Sequence, residues 1–150
     1  MPAAKLLQRC LVSGCLAVLA SPALAEEAAT AASDEASLRL ELNNLQPSDE
    51  GCRLTFVVSN RLGAELTKAA FEIALFNQAG IVDRLTVLDF NELPAGKTKV
   101  ARFDLAGADC GKISRVLINH ATECVGAGIE PDACQRRLEP ETKSGIAFGM

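Results

Sequence analysis

Apolar and polar residues alternate in short runs along the chain after residue 36. Residues 38–42 alternate leucine with charged residues, and a second alternating run extends from Cys52 to Asn60. A period of two is typical of a strand with one buried face. Asn43-Asn44 and residues 47–51 separate the runs and supply turn formers. The pattern therefore predicts two neighbouring strands.

The next segment, residues 64–76, fits two interpretations. Its Ala, Glu, Leu and Lys content suits a helix over residues 65–71. However, Phe71, Ile73 and Leu75 alternate with other residues, and a turn signal follows at 77–80. We prefer a strand over 69–76 that turns into another over 81–88, because closely spaced strands with turns between them indicate an all-β fold. The helix remains the alternative.

Three further runs complete the predicted domain. Strands are expected over 99–105 and 113–118, and a closing strand is expected near 145–148. Six or seven short strands, each with one apolar face, predict an immunoglobulin-like antiparallel β-sandwich over residues 37–150. The chain contains no Trp and no Tyr, so it lacks the core Trp and the tyrosine corner of true immunoglobulin domains.

The first 25 residues have the three parts of a secretory signal. Lys5 and Arg9 precede an apolar run. An A-x-A motif ends at Ala25, and cleavage is expected between Ala25 and Glu26. Lipidation at Cys15 is the alternative, but the better apolar stretch lies after that cysteine. Residues 26–36 are small and acidic and predict a disordered leader. The sequence therefore predicts an exported, periplasmic or secreted protein.

The net charge of the chain limits the classes of partner that the protein is expected to bind. The whole chain has a net charge of −4, and removal of residues 1–25 takes away two basic residues and no acidic one, which leaves −6. This balance argues against nucleic acid and anionic membrane surfaces as partners. No later apolar stretch reaches the length of about 20 residues that a spanning helix needs, so we expect no stable membrane anchor.

Four cysteines remain after cleavage, namely Cys52, Cys110, Cys124 and Cys134. An even number in an exported chain predicts two disulfide bonds. Three pairings are possible, and we favour Cys52–Cys110 with Cys124–Cys134, because the first would join the starts of two strands and the second would close a short loop. Metal or thiol chemistry is the alternative, although the chain has no C-x-x-C pair.

Few residues are candidates for chemistry. His120 is the only histidine and lies near Glu123, so a metal-binding or hydrolytic site would have to use His120 with nearby carboxylates. The acidic pairs Asp49-Glu50 and Glu139/Glu141 lack calcium-loop spacing. Gly126 and Gly128 lack the context of a dinucleotide fingerprint. We therefore expect no cofactor and no enzymatic activity.

The segment from 83 to 92 combines charge with a nearly continuous apolar run. Its apolar residues are Leu85, Val87, Leu88 and Phe90, and its polar residues are Asp83, Arg84, Asp89, Asn91 and Glu92. An edge strand of this composition could pair with a strand of a partner. A core strand followed by a polar turn is the simpler interpretation.

Several blocks carry a family resemblance. They are the strand end at Asn60, Leu75-Phe76-Asn77 with Gly80, Leu93-Pro94-Ala95-Gly96, and Phe103. Together they resemble the FxLYD kind of immunoglobulin-like domain from bacterial cell envelopes. GCRLTF, RLT, LPAG, FDL and the late cysteines are similar to exported Gram-negative proteins labelled "Tat pathway signal", although Arg9 stands alone here. The resemblance covers most of residues 38–148 and implies a sandwich fold without an assigned activity.

These observations combine into one functional expectation. The sequence predicts an exported, non-enzymatic domain that binds another protein or an envelope component. The alternative is a metal-binding protein or hydrolase that uses His120. The pattern does not determine the oligomeric state.

Overall fold

The computed structural model of the protein describes residues 35–150. The predicted signal peptide (1–25), Cys15, the cleavage site at Ala25 and Glu26, and most of the predicted leader (26–36) lie outside the described residues. Within the described part, no helix has the length and apolar character needed to cross a bilayer.

Eight strands form two four-stranded sheets. They are β1 (Leu38–Pro47), β2 (Gly51–Asn60), β3 (Leu66–Asn77), β4 (Val82–Leu93), β5 (Thr98–Ala106), β6 (Ile113–Val125), β7 (Leu138–Thr142) and β8 (Ala147–Gly149). Sheet I has the order β5-β2-β1-β7, and sheet II has the order β4-β3-β6-β8. A 3-10 turn (Cys110–Lys112) precedes β6, and the short helix α1 (Ala133–Arg136) precedes β7.

The predicted all-β sandwich is confirmed, with two differences in detail. The strands number eight rather than six or seven, because the charged segment before Gly145 contains β7. The sheets are also not wholly antiparallel, since β7 runs parallel to β1 and β8 runs parallel to β6. Both additions lie at sheet edges, where a short strand needs to pair on one side only.

The alternating residues pack between the two sheets. Leu38, Leu40 and Leu42 of β1 are buried, and every second residue of β2 from Cys52 to Asn60 is buried as well. Phe56 lies in the middle of this layer, where its ring contacts Phe90 of sheet II edge to face at a centroid distance of 5.6 Å. The two sheets therefore share one core, as expected for strands that each hide one apolar face.

Residues 66–71 are part of a strand, so the helix alternative for 65–71 is wrong. β3 spans Leu66–Asn77 and pairs with β4 on one side and β6 on the other. Its core-facing side chains are buried, and so are Ala70 and Ala74 on its outer face, which accounts for its largely apolar composition. Tertiary burial therefore outweighs the helix propensity of its Ala, Glu and Leu residues.

The structure contains two disulfide bonds, Cys52–Cys110 and Cys124–Cys134. This is the pairing that the sequence analysis favours. Cys52 begins β2 in sheet I, and Cys110 begins the 3-10 turn that leads into β6 of sheet II, so the first bond ties the sheets together. The second bond closes a loop of sequence separation 10, which ends within the first turn of α1.

Asn60 fixes the ends of three strands. Its buried side-chain amide donates to the carbonyl oxygens of Ala64 and Leu93, each at 2.8 Å, and its side-chain oxygen accepts from the Leu62 amide at 3.0 Å. Paired in this way, the polar group is buried at little cost. Asn60 thereby joins the end of β2 to the loop before β3 and to the last residue of β4.

Candidate functional site

β4 is an edge strand with a regular central segment. Among the described residues it pairs with β3 only. The register is continuous from Arg84, opposite Leu75, to Asp89, opposite Ala70, and it is interrupted by a bulge at each end of that stretch. At the second bulge, Asn91 has a positive φ of 57°. The free edge of β4 therefore presents six regular residues, 84–89, between two distortions.

The outward face of this strand is apolar at its centre. Leu85 and Val87 are 56% and 52% exposed, and Val82 is 49% exposed. Ile81, in the turn before β4, is 63% exposed. A contiguous apolar patch beside a free sheet edge is a common mark of a protein-binding surface. We call Ile81, Val82, Leu85 and Val87 the β4 patch.

Neighbouring strands extend the patch across sheet II. Ala74 of β3 lies opposite Leu85 and also opposite Leu117 of β6. Phe76 lies opposite Val82, and the Arg115 guanidinium sits over its ring at 5.4 Å from the centroid. Small Ala74 lets the larger side chains on either side approach one another. The outer face near the β3–β4 turn is therefore apolar, with one cation at its border.

The other end of the same face carries charge. The Lys68 ammonium lies 2.7 Å from a Glu123 carboxylate oxygen and 3.8 Å from a carboxylate oxygen of Asp89. The bond to Glu123 raises the pKa of Lys68. The Lys68 ammonium is therefore shared by two carboxylates. The more distant one, Asp89, lies two residues beyond Val87 on the outer face of β4.

Two cations connect β4 with β5 of sheet I, and one of them, Lys99, reaches the backbone edge of β4. Lys99 of β5 donates from Nζ to the carbonyl oxygens of Phe90 and Glu92, at 2.9 and 3.1 Å. At the opposite end, Arg84 donates from Nη1 to the Ala106 carbonyl at 2.9 Å. A lysine over strand carbonyls is a common protection of an exposed edge. The Lys99 contacts cover the end of the edge at Phe90 and Glu92, whereas the Arg84 contact uses a carbonyl of β5 and leaves the backbone of β4 uncovered.

The outer face of sheet I has a different character. Ion pairs on this face join neighbouring strands. The Arg53 guanidinium of β2, for example, donates to both carboxylate oxygens of Asp104 on β5 at 3.0–3.1 Å. The same bonds lower the pKa of Asp104. Val100 on edge strand β5 is exposed to the same degree as Leu85, at 56%, but lies opposite Val57 in a mostly polar face. Val100 is therefore a suitable control position for the β4 patch.

Glu41 is the buried carboxylate of sheet I. The Asn43 side-chain amide donates to it at 2.8 Å, and the Lys143 ammonium lies 3.1 Å away. The hydrogen bond from Asn43, followed by the bond and charge of Lys143, lowers the pKa of Glu41 although burial opposes this shift. The ionised form is therefore favoured by folding.

We expect Glu41→Gln to destabilise the protein at neutral pH by about 1–2 kcal/mol, because a charge-assisted hydrogen bond is lost. Since the folded pKa of Glu41 lies below the unfolded one, this stabilisation is present above the unfolded pKa and disappears as the pH falls through the folded pKa. Urea unfolding at pH 7 and pH 3 measures the difference. Glu65→Gln, at an exposed position, is the control. An equal loss at both pH values would contradict the assignment.

His120 lies on the outer face of sheet II and is exposed. Its Nδ1 is 3.6 Å from a carboxylate oxygen of Glu72, the residue opposite it on β3, and Asn119 donates to the same oxygen at 2.6 Å. Glu123, the carboxylate that the sequence placed near His120, bonds Lys68 instead. No group of three His, Cys, Asp or Glu residues with metal-binding geometry occurs within residues 35–150.

The remaining sequence candidates are dispersed. Asp49 and Glu50 lie in the exposed β1–β2 turn, and Glu139 and Glu141 are exposed residues of β7 rather than of a tail. Glu141 pairs with Arg39 of β1. Gly126 lies where a side chain would collide with the Glu65 backbone carbonyl, so its role is close packing. These residues do not converge on one site.

The sequence singled out much of β4 and missed its surroundings. It named Asp83, Arg84, Leu85, Val87, Leu88, Asp89, Phe90, Asn91 and Glu92. The structure makes this segment an edge strand, which was the alternative, and not the core strand that the sequence analysis found simpler. It did not include Lys99 or the contributions of Ala74, Phe76 and Leu117. The only sequence signal for these was their alternation within predicted strands.

Comparison of the chain with protein-family models, with curated protein sequences and with solved structures found no match.

Proposed function

We propose that this chain is an exported, non-enzymatic domain that binds another protein of the cell envelope through the β4 patch and the adjoining edge. The observation that carries the proposal is the row of half-exposed apolar side chains, Val82, Leu85 and Val87, on a strand with a free edge. Such a row costs solubility unless a partner covers it.

The cellular location is part of the proposal. The secretory pattern of residues 1–25 and the two disulfide bonds both support an oxidising compartment outside the cytoplasm, and the periplasm is our choice. The resemblance to FxLYD-type envelope domains supports the same location. The His120 alternative has less support, since its nearest carboxylate belongs to Glu72 and its surroundings are open to solvent.

Site-specific photo-crosslinking in the producing cell tests the proposal. Val87 is replaced by p-benzoylphenylalanine in one variant, and Val100, which is equally exposed, is replaced in the control. We expect position 87 to capture one defined protein, identified by mass spectrometry, that position 100 does not capture. Titration of the purified pair should then show about tenfold weaker binding for Leu85→Lys, because a central apolar contact is replaced by a charge.

Two outcomes would reject this function. Identical crosslinking patterns at positions 87 and 100 would show that the patch has no preferred partner. A turnover or metal-binding activity that His120→Ala removes would instead favour the metal-binding or hydrolytic alternative.

A further inference from the structure

We infer that the β4 edge accepts an extended protein segment as an added antiparallel strand, and that this segment has a basic residue followed at alternate positions by two apolar residues. The inference rests on the proposed function and specifies its partner by chemistry. It derives from the free edge of residues 84–89 and from the side chains on the outer face of that stretch.

The side chains of β4 set the pattern. Leu85, Val87 and Asp89 occupy alternate positions in a stretch of continuous register. In an antiparallel pair, directly opposite residues lie on the same face of the sheet. An added strand would therefore place apolar side chains opposite Leu85 and Val87 and a further side chain opposite Asp89.

Charge decides what lies opposite Asp89. Its nearest cation is the Lys68 ammonium at 3.8 Å, which bonds Glu123 more closely at 2.7 Å. Two carboxylates with one shared cation leave a net negative charge at this end of the face. A lysine or arginine of the partner would compensate that charge, and an acidic residue would be repelled.

Pairing of β4 with a second copy of itself fits less well. Arg84 is the only basic residue of β4, and it lies opposite Leu75 on the inward face. No antiparallel register of β4 with itself therefore places a cation opposite Asp89. The β4 patch consists of four half-exposed side chains, an area of a few hundred Å², whereas a stable dimer buries about 800 Å² on each partner.

The two ends of the regular stretch of β4 limit the length of the added strand. Lys99 occupies the carbonyl oxygens of Phe90 and Glu92 at one end, and the bulge between Val82 and Arg84 ends the regular register at the other. Between these two limits the edge keeps a regular register over 84–89, which is long enough for about six residues of an added strand. A short linear segment therefore fits this edge better than the long strand of a folded domain.

Defined peptides test the inference with the protein produced from the full chain. The probe is Trp-Ser-Gly-Lys-Thr-Val-Thr-Val-Thr-Ser, in which Lys would face Asp89 and the two Val would face Val87 and Leu85. Because the protein contains no Trp and no Tyr, the fluorescence anisotropy of the peptide Trp reports binding without background. We expect saturable binding with a dissociation constant below about 1 mM.

Matched changes separate side-chain recognition from general stickiness. The same composition ordered Lys-Thr-Thr-Val-Val-Thr breaks the alternation and should bind at least about fivefold more weakly. Leu85→Lys should weaken the original peptide about tenfold, and Val100→Lys should not change it. Asp89→Asn should weaken it about threefold, but should not affect a peptide with Thr in place of Lys.

The backbone of the peptide tests the strand itself. Successive amides of a strand point to opposite edges, so only one alternating set can face β4. N-methylation of the two Val amides or of the two intervening Thr amides should abolish binding in one case and be tolerated in the other. If both peptides bind, the segment does not add as a strand.

The two proposals fail in different ways. Absence of peptide binding, together with crosslinking at position 87 and not at position 100, would overturn the added strand and leave the patch as a docking surface. A dimer in sedimentation equilibrium that Leu85→Lys dissociates would assign the edge to a second copy. Equal crosslinking at both positions would reject the proposed function as well.

Discussion

Reduction of the Cys52–Cys110 bond is expected to lower the free energy of unfolding by about 4 kcal/mol, whereas reduction of Cys124–Cys134 should lower it by about 3 kcal/mol. The difference follows from loop length in the unfolded chain, since the bonds span sequence separations of 58 and 10. Against a usual total stability of about 5–15 kcal/mol, the long bond alone is a large fraction.

Two variants isolate the two bonds. C124A/C134A retains only the long bond and C52A/C110A only the short one, and each is compared with itself after reduction, so that truncation of the buried Cys52 side chain does not enter the comparison. Urea unfolding is followed by far-UV circular dichroism, because the chain has no Trp or Tyr to report on its core. A larger loss for the short bond would contradict the loop-entropy explanation.

The long bond also links stability to location. Cys52 is fully buried at the start of β2, and its partner begins the turn into β6 of the other sheet. A chain kept reduced would lose both contributions, and its sandwich would be held only by non-covalent contacts. Dependence on oxidation is typical of domains that fold after export, and it agrees with the proposed route.

The strands that the sequence predicted best are those with a regular pattern on one face. β2 and β5 alternate without interruption over most of their length, and their positions agree with the expectation. β1 starts where expected but continues through a bulge between Leu42 and Asn44 to Pro47. β6 runs on to Val125, well beyond the predicted end at Ile118. The prediction stopped short because the register of β6 with β3 shifts between Ile118 and His120 and again between Ala121 and Glu123. Each shift breaks the alternation that the sequence analysis relied on.

β7 was missed for a different reason. Only Leu138 of its five residues is buried, and it contains Pro140 between two glutamates. Proline lacks the amide hydrogen that a central strand needs, and it is tolerated here because β7 lies at the edge of sheet I. Its pairing with β1 is parallel and joins residues about 100 positions apart, a relationship that local sequence pattern does not encode.

Only part of the candidate site could be predicted, because the rest depends on contacts between residues that are distant in sequence. The composition of residues 83–92 allowed an edge strand as the alternative to a core strand. Which neighbours flank the strand depends on sheet order, which in turn depends on how β3 is shared between β4 and β6. The Lys99 contacts to the Phe90 and Glu92 carbonyls arise across the two sheets. No periodicity within β4 could reveal them.

Phe56→Ala is expected to destabilise the sandwich by about 3–5 kcal/mol, because a fully buried ring is removed and the cavity cannot close completely. The ring is 0% exposed and lies 5.6 Å from Phe90, 5.9 Å from Phe103 and 5.8 Å from Phe148, centroid to centroid. Phe90 in turn meets Phe71 at 6.0 Å. The cluster therefore connects β2 and β5 with β3, β4 and β8.

Phe56→Leu is the matched control, since it keeps most of the volume and should cost about 1–1.5 kcal/mol. Because Phe90 belongs to β4, loss of its aromatic partner should also increase hydrogen exchange in residues 84–90 more than in β7, which lies at the far edge of sheet I. A loss below 1.5 kcal/mol for Phe56→Ala, or uniform exchange across both strands, would show that the aromatic cluster does not support β4. The expected result would mean that the β4 edge owes its regularity to the core directly behind it.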